Sequence, residues 1–291
     1  MKKAVFIVNP VSGVGRQKVI ERLVDRYLDE TLFDTEIRYT DKPGHATEIS
    51  RKYAESHDIV VAVGGDGSVN EVARGLIGSR AAMGIIPSGS GNGFARSLKI
   101  PMNLRKAMEV FNDHRIAPID TIRLNDEVFI NMAGIGFDAH IARLFANYGR
   151  RGFVSYLRII LREFVRYPGI RYTLRIAGKE YVRDAFLTSF ANSTQYGNNG
   201  HIAPLAEMDD GLIDICIVKK FPLIAAPVLA VKLLGKKTHK SRYMEIIKAA
   251  SFEIYCENDV CIHYDGEPAG CGTSLKVRID PLSLKVVVPF V

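Results

Sequence analysis

With 291 residues, 47% of them hydrophobic and 24% charged, the chain has the composition of a soluble globular protein and is long enough for two cored domains. Its net charge of +7 suits an anionic ligand or an anionic membrane surface but does not by itself imply nucleic acid, and with no RNA- or DNA-module signature nucleic acid is not expected as a partner. Cys216, Cys256, Cys261 and Cys271 lack zinc-type spacing and read as free thiols in a reducing cytoplasm. The N-terminal MKKAVFIVNP has too short an apolar run for a signal peptide, and the apolar stretch 221–235 falls short of a bilayer span.

Residues 4–8 read as a strand buried on both faces, and Asn9-Pro10-Val11-Ser12-Gly13-Val14-Gly15 as the turn after it. Val19, Ile20, Leu23, Val24, Tyr27 and Leu28 then recur at a helical period. Residues 35–40 alternate around Ile37 and Tyr39 as a second strand, and Pro43-Gly44 opens a helix carrying Ala46, Ile49 and Ala54. The β-branched run 59–63 is a third strand, and Gly64-Gly65-Asp66-Gly67 follows it. Ser68 stands as a helix N-cap with Glu71 three residues on, ahead of an apolar stripe of Val69, Val72, Ala73 and Leu76. Residues 83–86 form a fourth strand before Pro87-Ser88-Gly89-Ser90-Gly91-Asn92-Gly93 and a helix from Phe94.

Four alternations of strand and helix predict a doubly wound parallel sheet. Its ligand edge would gather the loops 9–15, 64–67 and 88–93 at the carboxyl ends of their strands. A strand, a glycine turn and a helix aim backbone N–H groups at an anion, and Asp66 among them calls for a cation beside any phosphate. Neither a Walker A loop nor a complete dinucleotide fingerprint is present.

Beyond Pro118 the pattern changes. Asn125-Asp126 reads as a hairpin tip between strands 119–124 and 128–132, with Gly134 and Gly136 breaking the second strand before a helix over 138–147. Alternating strands dominate from Arg171 onward. The expected fold class is α/β + β. A doubly wound α/β domain occupies 1–122, completed by 281–291, and a β-sandwich domain occupies 123–280. Two stretches are basic and amphipathic. In 150–167, Phe153, Leu157, Ile160, Leu161 and Phe164 oppose Arg158, Arg162 and Arg166; in the other, apolar 223–234 precedes Lys236, Lys237, His239, Lys240 and Arg242. Such elements either pack on a core as solvated helices or lie on anionic membranes.

NPVSG, VGGDGSVNEV, PSGSGNGFAR, NMAGIGFDA and YDGEP occur in the order found in the diacylglycerol kinase catalytic-domain family. The chain resembles that family from Lys3 to about Pro289, nearest to its soluble bacterial lipid kinases. The resemblance implies a nucleotide-binding α/β domain, a lipid-binding β-sandwich, and ATP in the cleft between them. It puts Asn9, Pro10, Val11, Ser12, Gly13, Thr40, Gly65, Asp66, Gly67, Ser68, Val69, Asn70, Glu71 and Ser90 around ATP, and Asp66, Asn92 and Asp120 in a metal–water network. By the same similarity Asp210 binds a second, structural Mg²⁺ with the backbone oxygens of Glu207 and Leu212. Of the pair Asp265 and Glu267, Glu267 is the favoured proton acceptor, with Asp265 in support or as the rival base.

One departure stands out. Bacterial relatives usually end the fourth-strand loop Asn-Asp, whereas Asn92 is followed here by Gly93, which is more like sphingoid-base kinases. The implied protein is an ATP- and Mg²⁺-dependent lipid kinase acting on a hydroxyl of a membrane lipid such as diacylglycerol. It would be cytoplasmic, with peripheral association at the inner membrane surface and a homodimer as further options. The alternatives are a sphingoid-base or other lipid kinase, an NAD kinase-like enzyme, and a non-catalytic nucleotide-gated lipid-binding protein.

Overall fold

Three runs of the N-terminal sequence, at 4–8, 59–64 and 82–87, are buried at every position. Strands without a solvent face belong at the centre of a sheet covered on both sides. The computed structural model describes residues 1–10, 17–89, 91–146, 153–265 and 267–290. They fall into two units, Met1–Thr121 with Pro281–Val291, and Ile122–Asp280.

The first unit contains β1 (Lys2–Val8), α1 (Gln17–Tyr27), β2 (Phe33–Tyr39), α2 (His45–Tyr53), β3 (Ile59–Gly64), α3 (Asp66–Leu76) and β4 (Ala82–Pro87). Short helices α4 (Gly93–Ser97) and α5 (Leu104–Glu109) follow, then β5 (His114–Leu124), which runs on into the second unit. The strands lie parallel in the order β2-β1-β3-β4. The order reverses direction between β1 and β3, the kind of switch point at which open α/β sheets bind ligands. Ile20, Val24 and Leu28 of the α1 stripe are buried, as predicted, while Val19 is 39% exposed. Helices α2 and α3 touch closely at Gly75, where a Cβ would sit 2.9 Å from the Thr47 carbonyl oxygen.

The second unit contains β6 (Glu127–Phe129), β7 (Met132–Gly136), α6 (Phe137–Ala146), α7 (Phe153–Arg166), β8 (Ile170–Ile176), β9 (Lys179–Ala185), β10 (Leu187–Ala191) and β11 (Ile213–Val218). Then come α8 (Ala226–Leu234), β12 (Met244–Ala249), β13 (Ser251–Tyr264) and β14 (Glu267–Pro289). The strands are antiparallel in the order β12-β11-β10-β7-β13-β14. Strand β13 changes partner along its length. Ile262, His263 and Tyr264 pair with β7, and residues 253–256 pair with β8, which carries β9 on its far side. Irregular register between Tyr255 and Val260 bends the strand from one layer to the other. A core including Leu124, Phe129, Ile135, Phe190, Ile215 and Ile254 fills the space between the layers. Such a core makes this part a β-sandwich.

One prediction for this unit is corrected, and a second in part. Gly134 and Gly136 do not break a strand; they lie inside β7, which pairs with both β10 and β13. A side chain at Gly134 would meet the Asp138 carboxylate and His263 Nε2, each 2.8 Å from its Cβ. Of the apolar face assigned to α7, Ile160 and Phe164 pack against the core beside the buried Ile159, whereas Leu161 is 56% exposed, and the side chains of Phe153 and Leu157 lie outside the described residues. All four cysteines are free thiols. Cys261 and Cys271 stand opposite each other on β13 and β14, with their Sγ atoms 2.9 Å apart.

Candidate active site

In the first unit the carboxyl ends of β1, β3 and β4 are tied together by their own loops. Gly65 and Gly89 meet backbone to backbone: a Cβ on Gly89 would lie 2.5 Å from the Gly65 Cα. Asp66 then reaches from the β3 loop to the β4 loop, its Oδ2 accepting the Asn92 N–H at 2.8 Å. The N–H groups of Gly93 and Phe94 donate to the same carboxylate. Asn92 closes its loop internally, donating to the Gly89 carbonyl at 2.8 Å and accepting the Gly89 N–H at 3.1 Å. Across the switch point, the Asn9 amide donates to Ser68 Oγ at 3.0 Å. Thr40 joins this edge from β2, its N–H donating to the Val8 carbonyl at 3.0 Å.

Burial raises the pKa of the Asp66 carboxyl above the ordinary aspartate value, against the pull of four backbone amides, those of Asn92, Gly93, Phe94 and its own. Among the described residues, no basic side chain is one of the groups that offset its charge. A buried carboxylate balanced only by amides fits a divalent cation that arrives with a phosphate. Asn70, 8% exposed, likewise has a side-chain oxygen with no hydrogen-bond partner among the described residues. The start of α3 offers amides to an anion.

Several candidates have other duties. Ser68 is not the N-cap: α3 begins at Asp66, and the extended Gly65 occupies the cap position. Glu71 forms no capping box with it; its carboxylate accepts the Ala46 N–H of α2 at 3.2 Å. Val69 is a core side chain whose N–H is taken by the Gly65 carbonyl at 3.0 Å. Gly67 lies within the first turn of α3. Asp120, fully buried, accepts the Leu282 N–H at 2.7 Å and so supports a residue in left-handed backbone conformation (φ 49°). Val11, Ser12, Gly13 and Ser90 lie outside the described residues.

In the second unit Asp265 is fixed and Glu267 is exposed. Asp265 has a left-handed φ of 49°. Its N–H donates to the Met132 carbonyl, and its Oδ1 accepts the Met132 N–H, both at 2.7 Å. Asn192 holds the preceding residues of the same segment, donating from its backbone to the Asn131 carbonyl at 3.0 Å and from its side chain to the Ile130 carbonyl at 2.8 Å.

A neighbouring polar cluster escaped the sequence reading. His263, 3% exposed, contacts Asp138 Oδ2 at 3.0 Å, and Tyr196 donates to the same oxygen at 3.1 Å and is hydrogen-bonded to Ser189. Burial raises the Tyr196 pKa far above that of free tyrosine, so its hydroxyl remains a donor. Gly134 was the available signal: it is bare because this cluster occupies the space its Cβ would need.

The candidate structural metal position is arranged differently. Asp210 Oδ1 accepts the Leu212 N–H at 3.0 Å, and Oδ2 receives the Lys248 ammonium at 2.7 Å. Lys248 also lies 3.5 Å from Asp214, which is 1% exposed. Burial pulls the Lys248 pKa down, but the hydrogen bond to Asp210 and the two carboxylate charges outweigh it and leave it raised. Asp210 thus shares its carboxylate with an ammonium, and Glu207, expected to contribute its backbone oxygen, has an exposed side chain. Among the described residues, no group of three or more His, Cys, Asp or Glu is placed to hold a metal ion.

Comparison with known proteins places these features in context. A family model described as the diacylglycerol kinase catalytic domain matches residues 3–124, and one described as the YegS C-terminal NAD kinase beta sandwich-like domain matches residues 131–288. A Klebsiella pneumoniae (strain 342) protein named "Probable lipid kinase YegS-like" is 31% identical over 96% of this chain and 94% of its own length. One of the same name from Cronobacter sakazakii is 32% identical over 87% and 86%. A Bacillus subtilis (strain 168) diacylglycerol kinase is 28% identical over 93% and 91%. A crystal structure of a diacylglycerol kinase from Bacillus anthracis str. Sterne shares the fold, with a TM-score of 0.74 and 21% identity over 99% of this chain and 97% of that one.

Proposed function

The chain belongs to the diacylglycerol kinase catalytic-domain family, and on that premise we propose that it is an ATP- and Mg²⁺-dependent lipid kinase. It transfers the γ-phosphoryl group of ATP to a hydroxyl of a membrane lipid, diacylglycerol or a related lipid alcohol. The observation that carries this reading is the fastening of the β1, β3 and β4 loops through Asn9–Ser68, Gly65–Gly89 and Asp66–Asn92. Such an edge presents backbone amides and glycine surface to phosphates without bulky side chains in the way.

Phosphoryl transfer asks the protein chiefly for positioning and charge balance. The amides at the start of α3 hold phosphate oxygens, while the unsatisfied Asn70 oxygen accepts from a hydroxyl or water donor beside them. Mg²⁺ supplies charge neutralisation at the phosphates when bound, and Asp66 with Asn92 would hold it, directly or through water. Glu267 takes the proton of the acceptor hydroxyl as that oxygen forms its bond to the γ-phosphorus and the bond to the ADP oxygen breaks. Asp265, clamped on Met132, sets the backbone of the turn from which Glu267 projects. Gly93 in place of an acid leaves a sphingoid base as the competing acceptor.

The test is incubation with labelled ATP, Mg²⁺ and a panel of diacylglycerol, sphingoid base, prenyl alcohol and NAD. Label in a lipid is the expected result, and its identity names the acceptor. Transfer to NAD alone, or ATP binding without transfer to any acceptor, overturns the proposal.

A further inference from the structure

The second unit carries a helix on which no side chain is buried. In α8 none of the nine residues is buried. Ile224 in the preceding turn (87% exposed), Val228 (59%), Val231 (70%) and Leu234 (61%) follow one another at spacings of four, three and three, with Leu223 (51%) beside them. These spacings put them on one side of the helix. Phe221 and Leu233 lean the other way, onto the cluster of Met132, Ala191, Ile202 and Cys216. The Leu233 carbonyl is held by the His201 N–H at 3.0 Å. The helix is therefore moored along one side and displays a contiguous aliphatic stripe along the other, and such patches mark interaction surfaces.

Charge selects what covers the stripe. From 215 to 244 the sequence contains seven basic residues, Lys219, Lys220, Lys232, Lys236, Lys237, Lys240 and Arg242, and no Asp or Glu. Six of them, all but Lys232, are exposed and flank the stripe at both ends. A second copy of the chain would set these cations against their own images. An anionic bilayer instead offers hydrocarbon to the aliphatic side chains and phosphate headgroups to the lysines. The neighbouring α7 extends the same character: Leu161 and Val165 are exposed on it beside Arg162 and Arg166, and its Phe164 ring lies 5.1 Å from that of Phe221 at the entrance to α8. At nine residues α8 is far too short to span a bilayer, which leaves it to lie in the interface plane.

We propose that α8 and its flanking lysines form an interfacial element that seats its aliphatic stripe in an anionic lipid surface. The chain contains no tryptophan, so Val231→Trp provides a reporter without background. On mixing with phosphatidylglycerol–phosphatidylcholine vesicles its emission shifts to the blue and is quenched by brominated acyl chains; pure phosphatidylcholine gives a weaker response, and added salt reverses the binding. The triple variant Ile224→Ser, Val228→Ser, Val231→Ser melts as the parent does, because its positions are exposed, yet partitions onto the same vesicles about 100-fold more weakly. Neither measurement uses ATP or an acceptor, so the result stands or falls apart from the kinase activity proposed above. An unquenched tryptophan at low salt, or equal partitioning of parent and triple variant, overturns the inference. So does a dimer that the triple variant dissolves while vesicle binding is unchanged.

Discussion

Gly89→Ala is the smallest change that forces the β3 and β4 loops apart. The added Cβ would lie 2.5 Å from the Gly65 Cα and 2.9 Å from Asn92 Oδ1, where ordinary contact begins near 3.4 Å. The nearer atom is backbone and cannot swing away, so the β3 and β4 loops must separate by about 0.9 Å. That displacement is transmitted to Asp66, whose carboxylate spans the two loops at 2.8 Å. A misplacement of about 1 Å costs about 100-fold in rate when positioning carries catalysis, and overpacking of this kind destabilises by about 1–3 kcal/mol. The variant should therefore stay folded, with kcat/KM for ATP reduced about 100-fold and the melting temperature of the first unit lowered by several degrees. Steady-state kinetics at varied ATP, paired with calorimetry, reads both quantities. Activity within about threefold of the parent would refute the claim that Gly65–Gly89 contact sets the phosphate site.

The acid pair should separate by variant: Glu267→Gln lowers kcat by about 10²–10⁴ with unchanged melting, whereas Asp265→Ala also lowers the melting temperature, because it removes the Oδ1 that accepts the Met132 N–H. Retention of near-normal turnover by Glu267→Gln would remove it as the base. Lys248→Met leaves the 1% exposed Asp214 without its ion pair. It should cost about 2 kcal/mol, less than a fully buried pair because the lysine is one-third exposed, and Asp214→Asn in the same chain should recover most of it by thermal melting. Stability should fall on mild acidification: burial lowers the pKa of His57, His114 and His201 below 6.5. Their neutral forms favour the fold above that value, and the contribution is lost as the pH drops through the depressed pKa values; a melting temperature flat between about pH 7 and 5 would contradict this. Finally, a low-molecular-weight disulfide should oxidise Cys261 and Cys271 to one intrachain bond, read by peptide mapping, since their Sγ atoms lie 2.9 Å apart across β13 and β14. Separate mixed disulfides on the two thiols would contradict it.

The first unit was legible because buried parallel strands are written as unbroken apolar runs, and 59–64 or 82–87 admit no other layer position. Its glycine loops were equally visible. What each glycine accommodates was not: Gly89 is bare for Gly65, and Gly134 for Asp138 and His263, contacts between residues distant in sequence. The Ser68–Glu71 pattern satisfied every local rule for a capping box, yet the helix starts earlier because extended Gly65 can cap it, and Glu71 is drawn to the Ala46 N–H of another helix. The same limit applies to Asp210. Its partner Lys248 reaches it only because Asp214 and Lys248 face each other in the β11–β12 register, and register is not readable from either strand alone.

Strand β14 starts at Glu267 in the second unit and ends at Pro289 in the first, where Val286 pairs with Met83 of β4 and Leu284, Val286, Val287 and Val288 are buried. During synthesis, β4 leaves the ribosome long before these residues exist. Until they arrive, the sheet of the first unit has an apolar edge with open hydrogen-bonding groups, a template for unwanted pairing. The nascent chain must therefore carry an unfinished first unit while the whole sandwich is made, and its completion waits on the last residues of β14.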